Sequence, residues 1–348
     1  MRCKGEGRWV ALSARVLCPV CSPVGSRLFD ESQSGLNRRR VFLVNDRVKL
    51  WIAESRAPFL TATIVPIVLG AAISWARGEP FHWGLFFLTL LGGLLMQAGA
   101  NMINDYMDHL RGTDVANVEF VRPFTGGSRM IQEGLLTPRQ ILTASVLCLV
   151  LGSLVGFYLA AVQGWPILLI GGIGLFSAIF YVTPGFALSA LGVGELFIGL
   201  NFGVLMTLGA YYVQTARFSW EPVVASLPVA LLIAAVLYIN EFQDAAADGS
   251  VGRRHLVVRL GKRLAARGYA AIMATVYLSL ILGVLLDSVS PWALLGLLTT
   301  PQAFKAVRVA LAHYDDSQRL VPANAGTIQV HMITGLLLAV GYVIQGLL

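Results

Sequence analysis

Long apolar segments, separated by short polar ones, recur along the chain from residue 58 onward. Most are about 17–25 residues long, which is the length that an α-helix needs to cross the hydrocarbon core of a bilayer. We therefore predict an all-α, polytopic membrane bundle. Its nine transmembrane helices cover residues 58–76, 83–103, 140–161, 165–182, 190–213, 223–242, 269–286, 289–307 and 327–347.

The composition agrees with this pattern. Of the 348 residues, 56% are hydrophobic and only 13% are charged, whereas a soluble domain carries about 25% charged residues. The net charge is +7, but the charges fall in the gaps between the apolar segments. That placement indicates membrane topology and phosphate binding, and it argues against a nucleic-acid partner.

The distribution of basic residues predicts the orientation of the bundle. Eighteen Lys and Arg residues follow residue 46, and all but Arg77 and Arg217 lie at one side if the chain enters from the cytoplasm. Because cytoplasmic loops are enriched in Lys and Arg, we predict a cytoplasmic N-terminus and an external C-terminus. The two longest cytoplasmic loops, 104–139 and 243–268, are predicted to be polar caps.

The first 46 residues differ from the rest. They carry eight Lys and Arg residues and contain no apolar segment of spanning length. Arg15 interrupts the most apolar stretch, which makes it a poor signal peptide. We interpret residues 1–46 as a basic, mobile extension and residues 47–348 as the transmembrane domain.

Two clusters of Asn and Asp lie where a predicted helix meets the cytoplasm. The first contains Asn101, Asn104, Asp105 and Asp108, and the second contains Asn240, Asp244 and Asp248. Spacings of three and four place the members of each cluster on one helix face. Like charges on one face near a membrane are costly unless they have a partner.

Mg²⁺ is the natural partner, since it prefers carboxylate and amide oxygens and often bridges to substrate phosphates. Two facing clusters would hold metal ions with a diphosphate between them. Two other interpretations remain open at this point: solvated helix ends, and the ion pathway of a carrier. Carriers usually bury their acidic pairs in the middle of the membrane, and these clusters lie at one interface.

The motif Asn-Asp-x-x-Asp, followed by Gly112-x-Asp114 and a later Asp-x-x-x-Asp, resembles the UbiA superfamily of intramembrane aromatic prenyltransferases. The segments 51–70, 193–215 and 251–261 are similar to its 1,4-dihydroxy-2-naphthoate branch. The resemblance covers about residues 48–347. In one departure, Gly112 stands where a common form of the motif has an acid, and the acid arrives at Asp114.

The resemblance implies Mg²⁺-dependent transfer of a polyprenyl group from an isoprenoid diphosphate to 1,4-dihydroxy-2-naphthoate, in menaquinone biosynthesis. It implies an integral protein of the cell (inner) membrane whose active site faces the cytoplasm. The metal ligands implied are Asn104, Asp108, Asp244 and Asp248. The catalytic residues implied are Asp105, Asp108 and Asp244. The residues implied in binding the diphosphate or the acceptor are Arg56, Arg122, Arg129, Arg253, Arg254, Lys262 and Tyr181.

Several alternatives remain. The acceptor could be 4-hydroxybenzoate, homogentisate, a tetrapyrrole or haem precursor, or another naphthoate, and a membrane carrier or a lipid-binding scaffold would be a different class of function. Gly126 and Gly127 form either an anion-binding loop or a plain turn. Glu195 could orient the acceptor or transfer a proton, and none of the histidines shows metal-binding spacing.

Overall fold

The computed structural model describes residues 44–181, 183 and 188–348, and this part of the chain contains helices and no strand. The predicted all-α fold class is therefore confirmed. The predicted extension lies almost entirely outside the described residues, so the division at residue 46 stays a prediction. The first described helix begins at Val44, slightly before that boundary.

The α-helices are α1 (Val44–Glu54), α2 (Thr61–Ala76), α3 (Trp83–Arg111), α4 (Thr113–Ala116), α5 (Pro138–Gln163), α6 (Pro166–Phe180), α7 (Gly194–Ile198), α8 (Met206–Thr215), α9 (Trp220–Ser250), α10 (Leu256–Leu260), α11 (Lys262–Leu285), α12 (Thr300–His313) and α13 (Val321–Leu347). Three 3₁₀ helices cover Ala57–Leu60, Leu188–Ala190 and Pro291–Thr299. A π-helix, Gly199–Leu205, joins α7 to α8.

Within the described residues, seven helices are long and apolar enough to cross a membrane. They are Ala57–Ala76, α3, α5, the continuous segment Gly194–Thr215, α9, α11 and α13. Each matches one of the nine predicted segments. The described residues of the other two predicted segments contain no single helix of spanning length. The count of nine transmembrane helices therefore stays a prediction.

The predicted helix over 165–182 is α6, which has 15 residues. Such a helix is about 22 Å long, which is shorter than the hydrocarbon core. The predicted helix over 289–307 divides into the 3₁₀ helix Pro291–Thr299 and α12. Pro301 lies in the first turn of α12, where a residue without an N–H is tolerated.

Two other helices are longer than predicted. α3 continues past residue 103 to Arg111, where Gly112 ends it with a φ of 75°. α9 continues past residue 242 to Ser250. Both Asn and Asp clusters therefore lie on the last turns of unbroken helices, which keeps their side chains at fixed helical spacing.

α9 lies in the middle of the bundle and packs against α11, α13 and the π-helix. Small residues let helices approach closely, as is common in membranes. A Cβ at Gly70 would lie 2.3 Å from the Thr207 carbonyl oxygen, and one at Gly203 would lie 2.3 Å from Ala230 Cβ. Large apolar side chains such as Leu147 and Leu154 of α5 are exposed on the outer surface, as expected for a face in contact with lipid.

Candidate active site

A cavity of about 580 Å³ lies between α3, α5, α6, α9 and the segment from α7 to α8. One end of it is polar and the rest is apolar. The polar end is lined by Arg56, Asn104, Asp108, Asp114, Asn117, Asp244, Asp248 and Arg253. The apolar branch includes Met96, Phe157, Leu168, Phe197 and Met206. A cavity of this form suits a ligand with a charged head and a long apolar tail.

The ends of α3 and α9 meet at the polar end of the cavity. Arg253 Nη1 lies 3.5 Å from Asp108 Oδ1 and 3.7 Å from Asp248 Oδ1. Asn117, which follows α4, donates a hydrogen bond of 2.6 Å from Nδ2 to Asp244 Oδ1. The two acidic clusters, far apart in sequence, therefore share contacts across one site.

Acidic side chains outnumber basic ones among the described residues of this region. Of the described residues, five carboxylates and two guanidinium groups line the cavity. Burial, reinforced by repulsion from Asp108 and Asp105, raises the pKa of Asp114 to about 8. Burial would lower the pKa of Arg253, but the attraction of Asp108 and Asp248 outweighs it and raises that pKa, so Arg253 stays charged.

The residues at the polar end fit a hard divalent cation. Asn104 Oδ1 and Asp108 Oδ1 are buried and have no hydrogen-bond partner, although such atoms are normally satisfied. Carboxylate and amide oxygens are the ligands that Mg²⁺ prefers, and they come here from both helices. The donor set of Asn104, Asp108, Asp244 and Asp248 thus matches the chemistry of a magnesium site.

The other members of the two clusters have partners within the protein. Asp105 forms an ion pair with Arg56 and accepts a hydrogen bond of 2.9 Å from the Ser128 backbone N–H. Asn101 Nδ2 donates to the Ser55 carbonyl at 2.9 Å, and Asn240 Oδ1 accepts from Asn324 Nδ2 at 2.7 Å. Asp105 therefore holds the loop that contains Ser128 and does not line the cavity. Its catalytic role stays a prediction.

The loop between α4 and α5 closes over the polar end. Ser128 Oγ donates to Glu54 Oε2 at 2.5 Å, and Gln132 Nε2 donates to Asp114 Oδ2 at 2.8 Å. Burial and repulsion from Asp105 raise the pKa of Glu54 to about 7. These contacts join the loop to α1 and to α4.

Gly126 and Gly127 both line the cavity and have φ values of 74° and 70°, which favour glycine. A Cβ at Gly127 would lie 3.2 Å from Arg56 Nη2 and from the Oδ1 atoms of Asp105 and Asp114. The Gly pair therefore allows the loop backbone to approach the charged side chains closely.

The structure separates the basic residues that the sequence groups together. Arg56 and Arg253 line the cavity, as does Tyr181. Arg129 does not line the cavity, but its Nη1 donates to the carbonyl of Asp114, which does, at 2.8 Å. The Arg129 guanidinium lies 4.0 Å from the Phe120 ring centre.

Arg122, Arg254 and Lys262 do not line the cavity. Arg122 is exposed and forms an ion pair with Glu133, while Arg254 is exposed and Lys262 begins α11. A contact between these three residues and substrate stays a prediction.

A further group of buried charged residues adjoins the second cluster. His255 Nε2 lies 3.3 Å from Asp248 Oδ2, and its Nδ1 lies 3.3 Å from Glu241 Oε2. Glu195 Oε1 accepts a hydrogen bond of 3.0 Å from the Leu256 backbone N–H. Burial would lower the pKa of His255, but Asp248 and Glu241 raise it to about 9.

Sequence reasoning missed Glu54, Asn117, Glu241 and His255. None of them shares a short-range spacing with its partner across the site, and His255 lacks a second histidine at metal-binding spacing. The one usable signal was position: His255 follows the second Asp motif in the segment 251–261.

The chain is similar in sequence to several known proteins. The model of the UbiA prenyltransferase family matches residues 63–328. The 2-carboxy-1,4-naphthoquinone phytyltransferase of Synechocystis sp. is 30% identical over 300 residues, which are 86% of this chain and 94% of that protein. The 1,4-dihydroxy-2-naphthoate octaprenyltransferase of Bacillus subtilis is 27% identical over 291 residues, which are 84% of this chain and 91% of that protein.

Among solved structures, a UbiA homolog from Archaeoglobus fulgidus bound to DMAPP and Mg²⁺ superposes with a TM-score of 0.55. The match covers 83% of this chain and 99% of that one, at 15% identity. At this level of identity the likeness concerns the fold alone.

Proposed function

This chain belongs to the UbiA prenyltransferase family and is an integral membrane prenyltransferase, and we propose that it transfers a polyprenyl group from an isoprenoid diphosphate to 1,4-dihydroxy-2-naphthoate. One observation carries the proposal: the two acidic clusters meet at the polar end of a cavity whose other branch is apolar. That arrangement matches the charged head and the apolar tail of the donor.

The relatives support the choice of acceptor. The names of the Synechocystis and Bacillus proteins both specify a naphthalene acceptor that carries a carboxyl group. The same names differ in the prenyl group, which is phytyl in one and octaprenyl in the other. We therefore propose the acceptor and a role in menaquinone biosynthesis, and assign the donor only as a polyprenyl diphosphate.

We propose that Asn104, Asp108, Asp244 and Asp248 hold Mg²⁺, which when bound neutralises the diphosphate and makes it a better leaving group. Arg56 and Arg253 line the same end of the cavity and supply charge-assisted N–H donors to the diphosphate oxygens.

The remaining walls act on the organic part of the donor. The apolar branch takes the prenyl tail and limits the access of water to the carbon that reacts. Tyr181 lines the cavity and presents an aromatic ring to the positive charge that develops at C1 of the prenyl group. The excess of Lys and Arg on one side supports a site that faces the cytoplasm from the cell membrane.

The test is a reaction with purified protein in detergent. The mixtures contain Mg²⁺, 1,4-dihydroxy-2-naphthoate and either phytyl or octaprenyl diphosphate, and the product is followed by mass spectrometry. We expect product that EDTA abolishes and that Asp108→Ala reduces at least about a hundredfold. The matched control is Asp315→Ala, on an exposed acid in the loop before α13, which should leave the rate unchanged.

The other outcomes decide between the alternatives. Product with 4-hydroxybenzoate or homogentisate, but none with the naphthoate, would keep the prenyltransferase and reject the acceptor. Failure of folded protein to form any product or to bind the diphosphate would reject the proposed reaction and favour a carrier.

A further inference from the structure

A buried histidine lies directly behind one of the proposed metal-binding carboxylates. His255 is 1% exposed and immediately precedes α10. Its ring lies between two carboxylates of α9, with Nε2 3.3 Å from Asp248 Oδ2 and Nδ1 3.3 Å from Glu241 Oε2. Glu241 and Asp248 lie about two helical turns apart on α9. One imidazole therefore bridges two successive turns near the end of this helix.

A third carboxylate fixes the backbone beside this ring. Glu195, in the first turn of α7, is 4% exposed. Its Oε1 accepts a hydrogen bond of 3.0 Å from the N–H of Leu256, the residue after His255. The Arg253 N–H also donates to the Asp248 carbonyl at 2.8 Å. The loop that carries His255 is therefore attached to two helices, and the ring has a defined place.

The two oxygens of Asp248 face different partners. Oδ2 lies against His255, while Oδ1 lies 3.7 Å from Arg253 Nη1, which lines the cavity. An imidazole on Oδ2 leaves Oδ1 directed toward the site.

The same cluster has the composition of a separate metal site, because ligand atoms of Glu195, Glu241 and His255 lie within 4.8 Å of one another. Buried atoms of all three residues lack a hydrogen-bond partner: Glu195 Oε2, Glu241 Oε2 and both ring nitrogens of His255. However, both nitrogens of His255 already lie at ion-pair distance from a carboxylate. A cation bound there would have to displace one of these contacts, so the geometry favours an internal role for the ring.

We propose that His255 is a positioning residue, which holds Asp248 in the orientation that binds the metal. The inference rests on the proposed Mg²⁺–diphosphate site and adds a residue to it. Carboxylates that bind metals are commonly oriented by such outer contacts, and loss of one contact typically costs 10–100-fold in metal affinity, on the order of what we expect here.

The experiment measures metal affinity without relying on turnover. Purified wild type, His255→Ala and His255→Gln are titrated with Mn²⁺ in the presence of inorganic pyrophosphate, and free Mn²⁺ is counted by electron paramagnetic resonance. We expect an affinity about tenfold weaker in His255→Ala, with partial recovery in His255→Gln, which keeps a donor. His82→Ala, on an exposed residue before α3, should bind like the wild type.

The kinetics provide a second readout. The Mg²⁺ concentration for half-maximal rate should rise by a similar factor in His255→Ala, while kcat at saturating Mg²⁺ falls less than about threefold. KM for the acceptor should not change. Thermal unfolding in detergent verifies that each variant is folded, and if His255→Ala does not fold, His255→Gln and His255→Asn carry the test.

Unchanged Mn²⁺ affinity in a folded His255→Ala variant would overturn the proposal. So would the loss of one whole equivalent of bound Mn²⁺ with the remaining affinity unchanged, because that result would make His255 a ligand of a separate site. The two proposals can fail independently. If the wild type forms no product but His255→Ala still weakens Mn²⁺ binding, the reaction is wrong and the positioning role stands.

Discussion

Arg253 Nη1 lies 3.5 Å from Asp108 Oδ1, so a loop after α9 places a cation against the end of α3. The same nitrogen lies 3.7 Å from Asp248 Oδ1. The guanidinium thus touches a carboxylate from each acidic cluster and still lines the cavity. It both holds the two clusters together and offers donors to an anion that binds between them.

Replacing Arg253 should therefore weaken diphosphate binding strongly. We expect Arg253→Ala to lower kcat/KM for the prenyl diphosphate by about a hundredfold, because hydrogen bonds to charged groups contribute about 1.5–3 kcal/mol each. Arg253→Lys keeps the charge but loses the planar fork, so it should recover only part of this loss. Steady-state kinetics at saturating acceptor give these values.

The neighbouring residue provides a sharp comparison. Arg254 is exposed and does not line the cavity, although the sequence alone treats the two arginines alike. We expect Arg254→Ala to change kcat/KM less than about threefold. Equal losses in both variants would contradict the arrangement of this loop.

Asn117 connects the first cap loop to the second acidic cluster through its hydrogen bond to Asp244. Asn117→Asp would replace a donor by a second carboxylate at 2.6 Å from Asp244 Oδ1. We expect at least about a tenfold fall in kcat, because like charges at this distance repel and one must take up a proton. The fall should exceed that in Asn117→Ala, which removes the donor without adding charge.

The control for the added charge is Val118→Asp, because Val118 is 84% exposed. This variant places the same new carboxylate one residue further along the loop, directed to solvent. Its rate should match the wild type. If both Asp variants lose activity equally, the loop tolerates no added charge and the contact with Asp244 is not the cause.

The sequence predicted those parts of the site that depend on local spacing. The Asn and Asp clusters recur at intervals of three and four, and both lie on continuous helices, so each cluster shares a face as expected. The sequence did not predict the contacts between the clusters. Asn117, Ser128 and His255 lie in loops that fold back onto their partners. Such long-range contacts leave no periodic pattern in the sequence.

The helix boundaries differed for a similar reason. Hydrophobicity places the end of a segment where the apolar residues stop, at 103 and 242, but the backbone hydrogen bonds continue until Arg111 and Ser250. At 289–307 the apolar pattern is continuous although the chain changes from a 3₁₀ helix to an α-helix. Hydropathy carries no information about that change.

Gly127 should be intolerant of a side chain for two separable reasons. Its φ of 70° disfavours any L-residue, at a cost of about 1–2 kcal/mol. A Cβ would also lie 3.2 Å from Arg56, Asp105 and Asp114. We expect Gly127→Ala to reduce kcat/KM at least about tenfold, since a small displacement of catalytic groups is costly.

Gly134, in the same loop, separates the two effects. Its φ is 66°, but a Cβ there would have no heavy atom within 4 Å. Gly134→Ala should lower the midpoint of thermal unfolding about as much as Gly127→Ala does, while kcat/KM stays near the wild-type value. A similar loss of activity in both variants would mean that backbone strain, and not crowding of the charged side chains, explains the effect.

The apolar branch of the cavity should limit the length of the donor. Gly156 of α5 lines this branch, and a Cβ there would meet no heavy atom within 4 Å. A larger side chain would therefore occupy space that the prenyl tail needs. We expect Gly156→Leu to lower kcat/KM for octaprenyl diphosphate at least about tenfold relative to dimethylallyl diphosphate, because overlap of bulky apolar groups costs about 1–3 kcal/mol.

The measurement is a competition in which both donors are present in one mixture and the two products are quantified by mass spectrometry. Gly84→Leu is the control, since Gly84 near the start of α3 also has open space around it but does not line the cavity. It should leave the product ratio unchanged. An unchanged ratio in Gly156→Leu, with product still formed from both donors, would mean that the tail does not pass Gly156 and follows another part of the apolar wall.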